Sequence, residues 1–325
     1  MKKRLVKKIL HTTRKKLRPI SIWFSHGLRF ASLTFLWGFF FLLAGVVDPS
    51  VGSEKIVVRD FQKPIIVSPY PVVGSIKVPQ VTAKSFLVVD GSSGVVLASK
   101  EPNQKIYPAS LTKLMTALVT LDYYDFDTVL TVKRLAPVPG EAEMGLEVGD
   151  QATVRTLLYG LLVPSGNDAA YALADNYFGG IENFVFAMNK KTSELHLNNT
   201  NFRNPSGADE DNHRSSAKDL LILTRAFVAN EELRNIVATH AISLFDFSGT
   251  KSYEVKNVNQ LLGLVSGVNG VKTGYTDLAG ECLITSTTRN GRTLYTIVLN
   301  SKDRFFESVT LLEWAFGNTK WEIVD

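Results

Sequence analysis

Cysteine is almost absent from this chain of 325 residues. Cys282 is the single one, so no intramolecular disulfide can form, and its strand-like apolar surroundings predict a buried packing role. No C-x-x-C, H-E-x-x-H or other metal-ligand spacing appears, so neither a metal nor another cofactor is expected. The five histidines (His11, His26, His196, His213 and His240) sit in unrelated settings and suggest no Ser-His-Asp arrangement. No internal repeat or low-complexity tract is visible. Acidic side chains are missing from residues 1–20, which hold nine Lys/Arg. The remaining 27 basic and 31 acidic side chains give the rest of the chain a net charge of −4. The positive balance therefore belongs to the N-terminal tail. A nucleic-acid role would need basic residues on a folded surface, and none is expected.

The tail leads into Phe30–Val47, eighteen residues without a charge. That length is at the lower limit for crossing a bilayer. Positive residues precede it, so the N-terminus is expected to stay cytoplasmic while the bulk of the chain is exported. The run is longer than a signal-peptide core, and "LLAGVVDPS" offers no good cleavage site, which favours an uncleaved anchor. Five prolines (Pro49, Pro64, Pro69, Pro71 and Pro79) rule out a long helix over 48–82. Val and Ile pairs there suggest extended chain, with room for a docking strand. At about 3.1 Å per residue such a spacer could reach up to about 100 Å. The expected organisation is a basic cytoplasmic segment (1–29), a transmembrane anchor (30–47), an extended linker (48–82) and an exported globular domain (83–325).

With 45% apolar and 21% charged residues, the composition is ordinary globular material. "SFLVVDGSSGVVLASK" reads as a hairpin about Asp90–Gly94. Helical patterns cover 109–122, 152–175, 181–196 and 216–229. "CLITSTT" and "RTLYTIVLN" flank Asn290-Gly291, a strong hairpin signal, and "FESVTLLEWAFG" closes the chain as a helix. Strands at both ends with helices between predict an α/β (α+β) fold: an antiparallel sheet flanked by helices, with an all-helical lobe.

Three short motifs stand out. Ser110-Leu-Thr-Lys113 opens a helical pattern, so Lys113 can face the Ser110 hydroxyl from three residues on. Ser110 would then lie at the positive end of the helix dipole. Ser165-Gly-Asn167 falls in a helix–helix turn after Pro164, and Lys272-Thr-Gly274 falls in a strand. Each has a plain reading when taken alone: Ser110 as an N-cap, Asn167 or Asp168 as a turn cap, Lys272 as an exposed edge-strand lysine. Two further S-x-x-K matches, Ser215/Lys218 and Ser248/Lys251, read as a capping-box-like helix start and a turn.

In order and in context the three motifs resemble the S-x-x-K, S-x-N and K-T-G signature of penicillin-recognising serine acyl-transfer enzymes. The flanking text, "YPASLTKLMTA", "LLVPSGNDAAYALA" and "GVKTGYTDLAGECL", resembles that of low-molecular-mass penicillin-binding proteins of the D-alanyl-D-alanine carboxypeptidase family. This resemblance runs from about Ser85 to about Gly317 and implies a β-lactamase/transpeptidase-like fold. It implies that Ser110 attacks the carbonyl between two D-alanines, with Lys113 as base, its pKa lowered by desolvation and by Lys272. Ser165 would relay a proton to the leaving amine, and Asn167 would hold the substrate amide. Lys272 and Thr273 would attract the terminal carboxylate, and Gly274 would keep the strand open. Backbone N–H groups of Ser110 and Tyr275 would form an oxyanion hole, each donor contributing about 2.7–4 kcal/mol. The implied partners are peptidoglycan stem peptides ending in D-Ala-D-Ala, and β-lactams as covalent inhibitors, and the resemblance makes 83–325 the expected catalytic domain, facing the periplasm or wall of a bacterial cell from its membrane.

Many members carry a β-rich second domain and a membrane-resting C-terminal helix. Both are expected to be missing here, with the N-terminal anchor in place of the helix. The acidic stretch Asp209-Glu210-Asp211 reads as altered substrate preference or as a solvated loop. Three alternatives remain. A D,D-endopeptidase would use the same residues. A class A β-lactamase would show S-D-N, where Gly166 stands here, and a Glu-x-x-x-Asn loop, whose letters Glu194-Leu-His-Leu-Asn198 match but continue a helix. A non-catalytic wall-binding protein is opposed by the intact motif residues.

Overall fold

The computed structural model describes residues 69–136 and 142–323, all within one compact unit, Ile66–Asp325. In chain order the elements are strands β1 (Tyr70–Val73), β2 (Ser85–Asp90) and β3 (Val96–Lys100), a 3-10 turn (Ala109–Thr112) and helix α1 (Lys113–Leu121). Strands β4 (Val129–Thr131) and β5 (Gln151–Thr153) precede helices α2 (Val154–Leu162), α3 (Asn167–Asn176), α4 (Gly180–Glu194), α5 (Ala217–Ala229) and α6 (Glu231–Ala238). Then come β6 (Ala241–Phe245), β7 (Ser252–Lys256), β8 (Val268–Thr276), β9 (Gly280–Arg289), β10 (Arg292–Ser301), α7 (Arg304–Asn318) and β11 (Thr319–Glu322).

The central sheet is antiparallel, in the order β3-β2-β10-β9-β8. Both of its faces are covered, which explains why β2 is buried at every position. Side chains alternate between two cores. Leu87, Val89, Ile284, Ile297 and Leu299 face the larger core with the helical lobe. Phe86, Val88, Leu283, Leu294 and Val298 face the smaller one with Leu311, Leu312 and Ala315 of α7. Asn290-Gly291 makes the expected two-residue turn, with Arg289 opposite Arg292.

Within 152–175 the helix–helix turn expected after Pro164 is present, between α2 and α3. The helix expected from 109 begins as the 3-10 turn and becomes α only at Lys113. α7 is not the last element: β11 follows it and pairs antiparallel with β1, Tyr70 opposite Glu322. Among the described residues no helix is long and apolar enough to cross a membrane. The anchor expected at Phe30–Val47 lies outside the described residues.

Candidate active site

The 3-10 turn carries Ser110, and α1 starts at Lys113. Lys113 Nζ donates to Ser110 Oγ at 2.9 Å, to Asn167 Oδ1 at 2.7 Å and to the Ser206 carbonyl at 2.8 Å. Lys113 is fully buried. Ser110 is not a cap, because Thr112 occupies the N-cap position of α1 and no side chain caps the helix.

Two close approaches fix this turn. Ala109, at φ 48, lies against Gly207, where a Cβ would come within 1.9 Å of the Ala109 carbonyl oxygen. A Cβ at Gly274 would lie 3.1 Å from Ala109 Cβ and 3.2 Å from the Ser110 nitrogen. Glycine at both positions lets a loop and strand β8 close on the serine from two sides.

Ser165 holds a left-handed φ of 70, a conformation that costs a non-glycine residue about 1–3 kcal/mol and persists when the surroundings enforce it. Its hydroxyl accepts from Lys272 Nζ at 2.8 Å. β8 is an edge strand of the sheet, yet Lys272 is not exposed: α6 and the 3-10 turn lie against β8, and 1% of the residue is accessible. Burial first, then the charges of Lys113 and Arg304, push the Lys272 amine well below the ordinary lysine range.

Ser110, Asn167 and Tyr275 line a cavity of about 520 Å³ together with Ser206–Asp209, Thr276 and Asp277. Lys113, Ser165, Lys272 and Thr273 are buried. Asn167 and the Ser110 hydroxyl thus share the Lys113 amine, while Lys272 bonds Ser165 and feels the Lys113 charge.

The sequence profile of the D-alanyl-D-alanine carboxypeptidase family (peptidase S11) matches residues 73–303. The chain belongs to this family. It is 36% identical over 244 residues to the D-alanyl-D-alanine carboxypeptidase DacF of Bacillus subtilis, covering 72% of this chain and 62% of that one. It is 37% identical over 256 residues to DacD of Escherichia coli K12, covering 74% and 64%. The crystal structure of the Streptomyces K15 DD-transpeptidase superposes with a TM-score of 0.69 at 30% identity, over 74% of this chain and all of that one. The penicillin-binding, transpeptidase-like fold is therefore shown, whereas the chain spans under two thirds of the length of the curated relatives DacF and DacD.

Other residues of this S11 site had no signal in the sequence. Arg304, at the start of α7, donates from Nη1 to the Gly274 carbonyl at 2.9 Å and adds positive charge beside Lys272. Asp168 is not a cap, since Gly166 is the N-cap of α3. Its buried carboxylate accepts from the N–H groups of Met144, Gly145 and Leu146 at 2.9–3.0 Å, and the Ala142 carbonyl of that loop accepts from the Asn167 N–H at 2.7 Å. Nor does His213 stand apart from the site: its Nε2 lies 2.8 Å from Thr112 Oγ1, one residue before Lys113. Burial and then the Arg203 charge push its pKa down to about 4.

The remaining sequence candidates resolve as structure. Ser216 caps α5 through the Asp219 N–H. Ser248 sits in the β6–β7 turn with Asp246, and Lys251 pairs with Asp150. Glu194 ends α4, faces Lys190 and Lys191, and does not line the cavity. Cys282 is buried in β9, its thiol pushed up to about 11 by burial. Asp209 accepts from Thr276 Oγ1 at 2.6 Å and from the Leu278 N–H at 3.1 Å, so this acid braces the cleft wall against the β8–β9 turn. Among the described residues no group of acidic, His or Cys side chains is arranged to hold a metal ion.

Proposed function

We propose that the chain is a serine-type D-Ala-D-Ala carboxypeptidase that removes the terminal D-alanine from peptidoglycan stem peptides through an acyl-enzyme on Ser110. The observation that carries this reading is the 2.9 Å hydrogen bond from buried Lys113 to Ser110 Oγ at the floor of the cleft. A serine hydroxyl needs a base, and no histidine is within hydrogen-bond reach of Ser110 among the described contacts. Two buried lysines repel each other, so one amine gives up its proton at low cost, and the one beside Ser110 is placed to use its lone pair.

In this mechanism Ser110 Oγ attacks the carbonyl carbon of the penultimate D-alanine while its proton passes to Lys113. The tetrahedral oxyanion lies between the N–H groups of Ser110 and Tyr275, which are fixed before the charge develops. On collapse the C–N bond breaks, and the leaving amine takes a proton through Ser165. Water then cleaves the ester, transferring the acyl group from Ser110 and restoring its hydroxyl. Asn167 orients both the substrate amide and Lys113. Lys272 and Thr273, with the Arg304 charge behind Gly274, receive the terminal carboxylate, whose arrival favours the charged form of Lys272. β-Lactams acylate Ser110 by the same route. We further assign Phe30–Val47 as a single-pass anchor and place the catalytic part outside the cytoplasm.

Intact-mass spectrometry with benzylpenicillin tests the chemistry. A stable adduct on the unsubstituted chain and none on Ser110→Ala is expected, and Lys113→Ala should lose nearly all labelling. Labelling of Ser110→Ala would refute the nucleophile. Rapid penicillin turnover would point to a β-lactamase, and no reaction at all to a binding protein. Cleavage of cross-linked muropeptides in preference to stem peptides would favour the D,D-endopeptidase.

A further inference from the structure

Lys113 depends on a loop that is distant in sequence. Residues 202–213 leave and return at a bridge between Asn201 and Arg214, and within the loop the Ser206 carbonyl accepts from Lys113 Nζ at 2.8 Å. The neighbouring Pro205 carbonyl accepts from Thr116 Oγ1, one turn along α1, at 2.6 Å. His213 stands at the foot of this loop, 1% exposed, with Nε2 at 2.8 Å from Thr112 Oγ1. Thr112 is fully buried and lies between the serine and the lysine.

The tautomer follows from the other ring nitrogen. Nδ1 accepts the Arg203 N–H at 3.3 Å, so the ring proton sits on Nε2 and is donated to Thr112. Phe202 meets the ring edge-on, with centroids 5.7 Å apart, which fixes its plane. One imidazole therefore joins the loop that supplies an acceptor of Lys113 to the turn that supplies its backbone.

Resting on the acyl-transfer reading above, we infer that His213 is a positioning residue for acylation, acting through its hydrogen bond to Thr112 to hold Lys113 and the Ser206 carbonyl in register with Ser110. His213 does not touch substrate. When the bond is lost, the Pro205–Thr116 bond and the Gly207–Ala109 contact still join the loop to the turn and α1, but the tie next to Lys113 is gone, and the lysine loses part of the geometry that directs it at Ser110 Oγ. A misplacement of about 1 Å at a reacting group can cost 10²-fold in rate. Lys272 and Thr273 stand on β8 and are not part of this linkage, so binding before acylation should persist.

The test is stopped-flow acylation by benzylpenicillin at saturating and sub-saturating concentrations, which separates the pre-acylation dissociation constant from the acylation rate constant. Thr112→Val, which keeps the shape and removes the acceptor, should lower the rate constant about tenfold or more and leave the dissociation constant within about twofold. His213→Phe should do the same, and His213→Gln, which can still donate, should recover most of the rate. A smaller folded fraction would lower only the amplitude, so a structural role alone predicts unchanged constants. A folded Thr112→Val that acylates at the unsubstituted rate would overturn the inference even if His213→Phe did not fold. Failure of the unsubstituted chain to react would instead refute the acyl-transfer reading, and this inference with it.

Discussion

His213 and Lys272 share a circumstance: each is a base held in a place where its cation is disfavoured. For His213 the consequence for stability can be read from linkage. Its pKa falls from 6.5 to about 4 on folding, so between those values the unfolded chain binds the proton that the folded chain refuses. Stability then rises with pH through that window and is lost as pH falls from 6.5 toward 4, by roughly 3 kcal/mol at full depth. Denaturant unfolding of the unsubstituted chain and of His213→Gln at pH 7 and pH 4.5 checks this. The variant, with nothing to titrate at that position, should lose less stability between the two pH values. Equal losses would mean that water reaches the imidazole, so that it takes up its proton at the same pH folded as unfolded, and a smaller loss in the unsubstituted chain would mean that the folded imidazole is already charged at neutral pH. Burial was the unread term here. "NHRSS" gives no sign that its histidine is enclosed, because enclosure depends on Phe202 and Thr112, which come from other parts of the chain.

The elements around the site were legible where local chemistry decides them. The β9–β10 hairpin follows from Asn290-Gly291, the division of α2 from α3 from Pro164, and the start of α5 from Ser216. Ser110 and Lys113 could be paired only from context, since Ser215/Lys218 and Ser248/Lys251 share the three-residue spacing and the other two motifs single out the first pair. What could not be read is what a distant segment imposes. Among the described residues β6 and β7 pair only with each other, and α6 is a helix of eight residues after α5 that packs on β8, the strand of Lys272. Asp168 illustrates the difference best. Locally it is a first-turn acid on α3, whereas in the fold it gathers three N–H groups of residues 144–146 and so fixes the loop whose Ala142 carbonyl holds Asn167. Asp168→Asn replaces an acceptor-only carboxylate with a group that can accept at one atom and must donate at the other. Leaving buried N–H groups unmet costs about 1–3 kcal/mol each. The substituted chain should melt lower, acylate more slowly through Asn167, and be cut sooner by protease near residues 142–146. An unchanged melting point would show that the loop is held by other contacts.

On the scale of the whole molecule, the segment before the first sheet strand is fastened to the segment after the last one. β1 pairs with β11, and Asn318 accepts the Ile76 N–H and donates to the Gly74 carbonyl. Trp314 Nε1 donates to the Ile76 carbonyl, and Trp321 Nε1 to Asp90 Oδ2 at the β2–β3 turn. The Glu307 carboxylate accepts from the Thr82 and Ala83 N–H groups and from Ser301 Oγ, while Val78 and Val81 pack on the α7 side of the sheet. Residues 69–82, expected from composition as the end of a spacer, thus cover part of the smaller core. A chain starting at Ile66 and one starting at Ala83 separate the two roles of this segment. Loss of four cross-strand positions, the side-chain bonds to 74 and 76 and the cover of two valines should cost several kcal/mol, and each kcal/mol lowers the melting temperature of a domain of this size by about 2–4 °C. The shorter chain is expected to melt at least 5 °C lower, on the order of 2 kcal/mol. Its penicillin acylation rate constant should be unchanged below that transition, because the clasp lies on the α7 side of the sheet and Ser110 on the side of the helical lobe. Equal melting temperatures would make residues 69–82 a spacer that merely rests on the domain. A slower acylation with equal melting would mean that the clasp reaches the site through α7, whose first residue is Arg304.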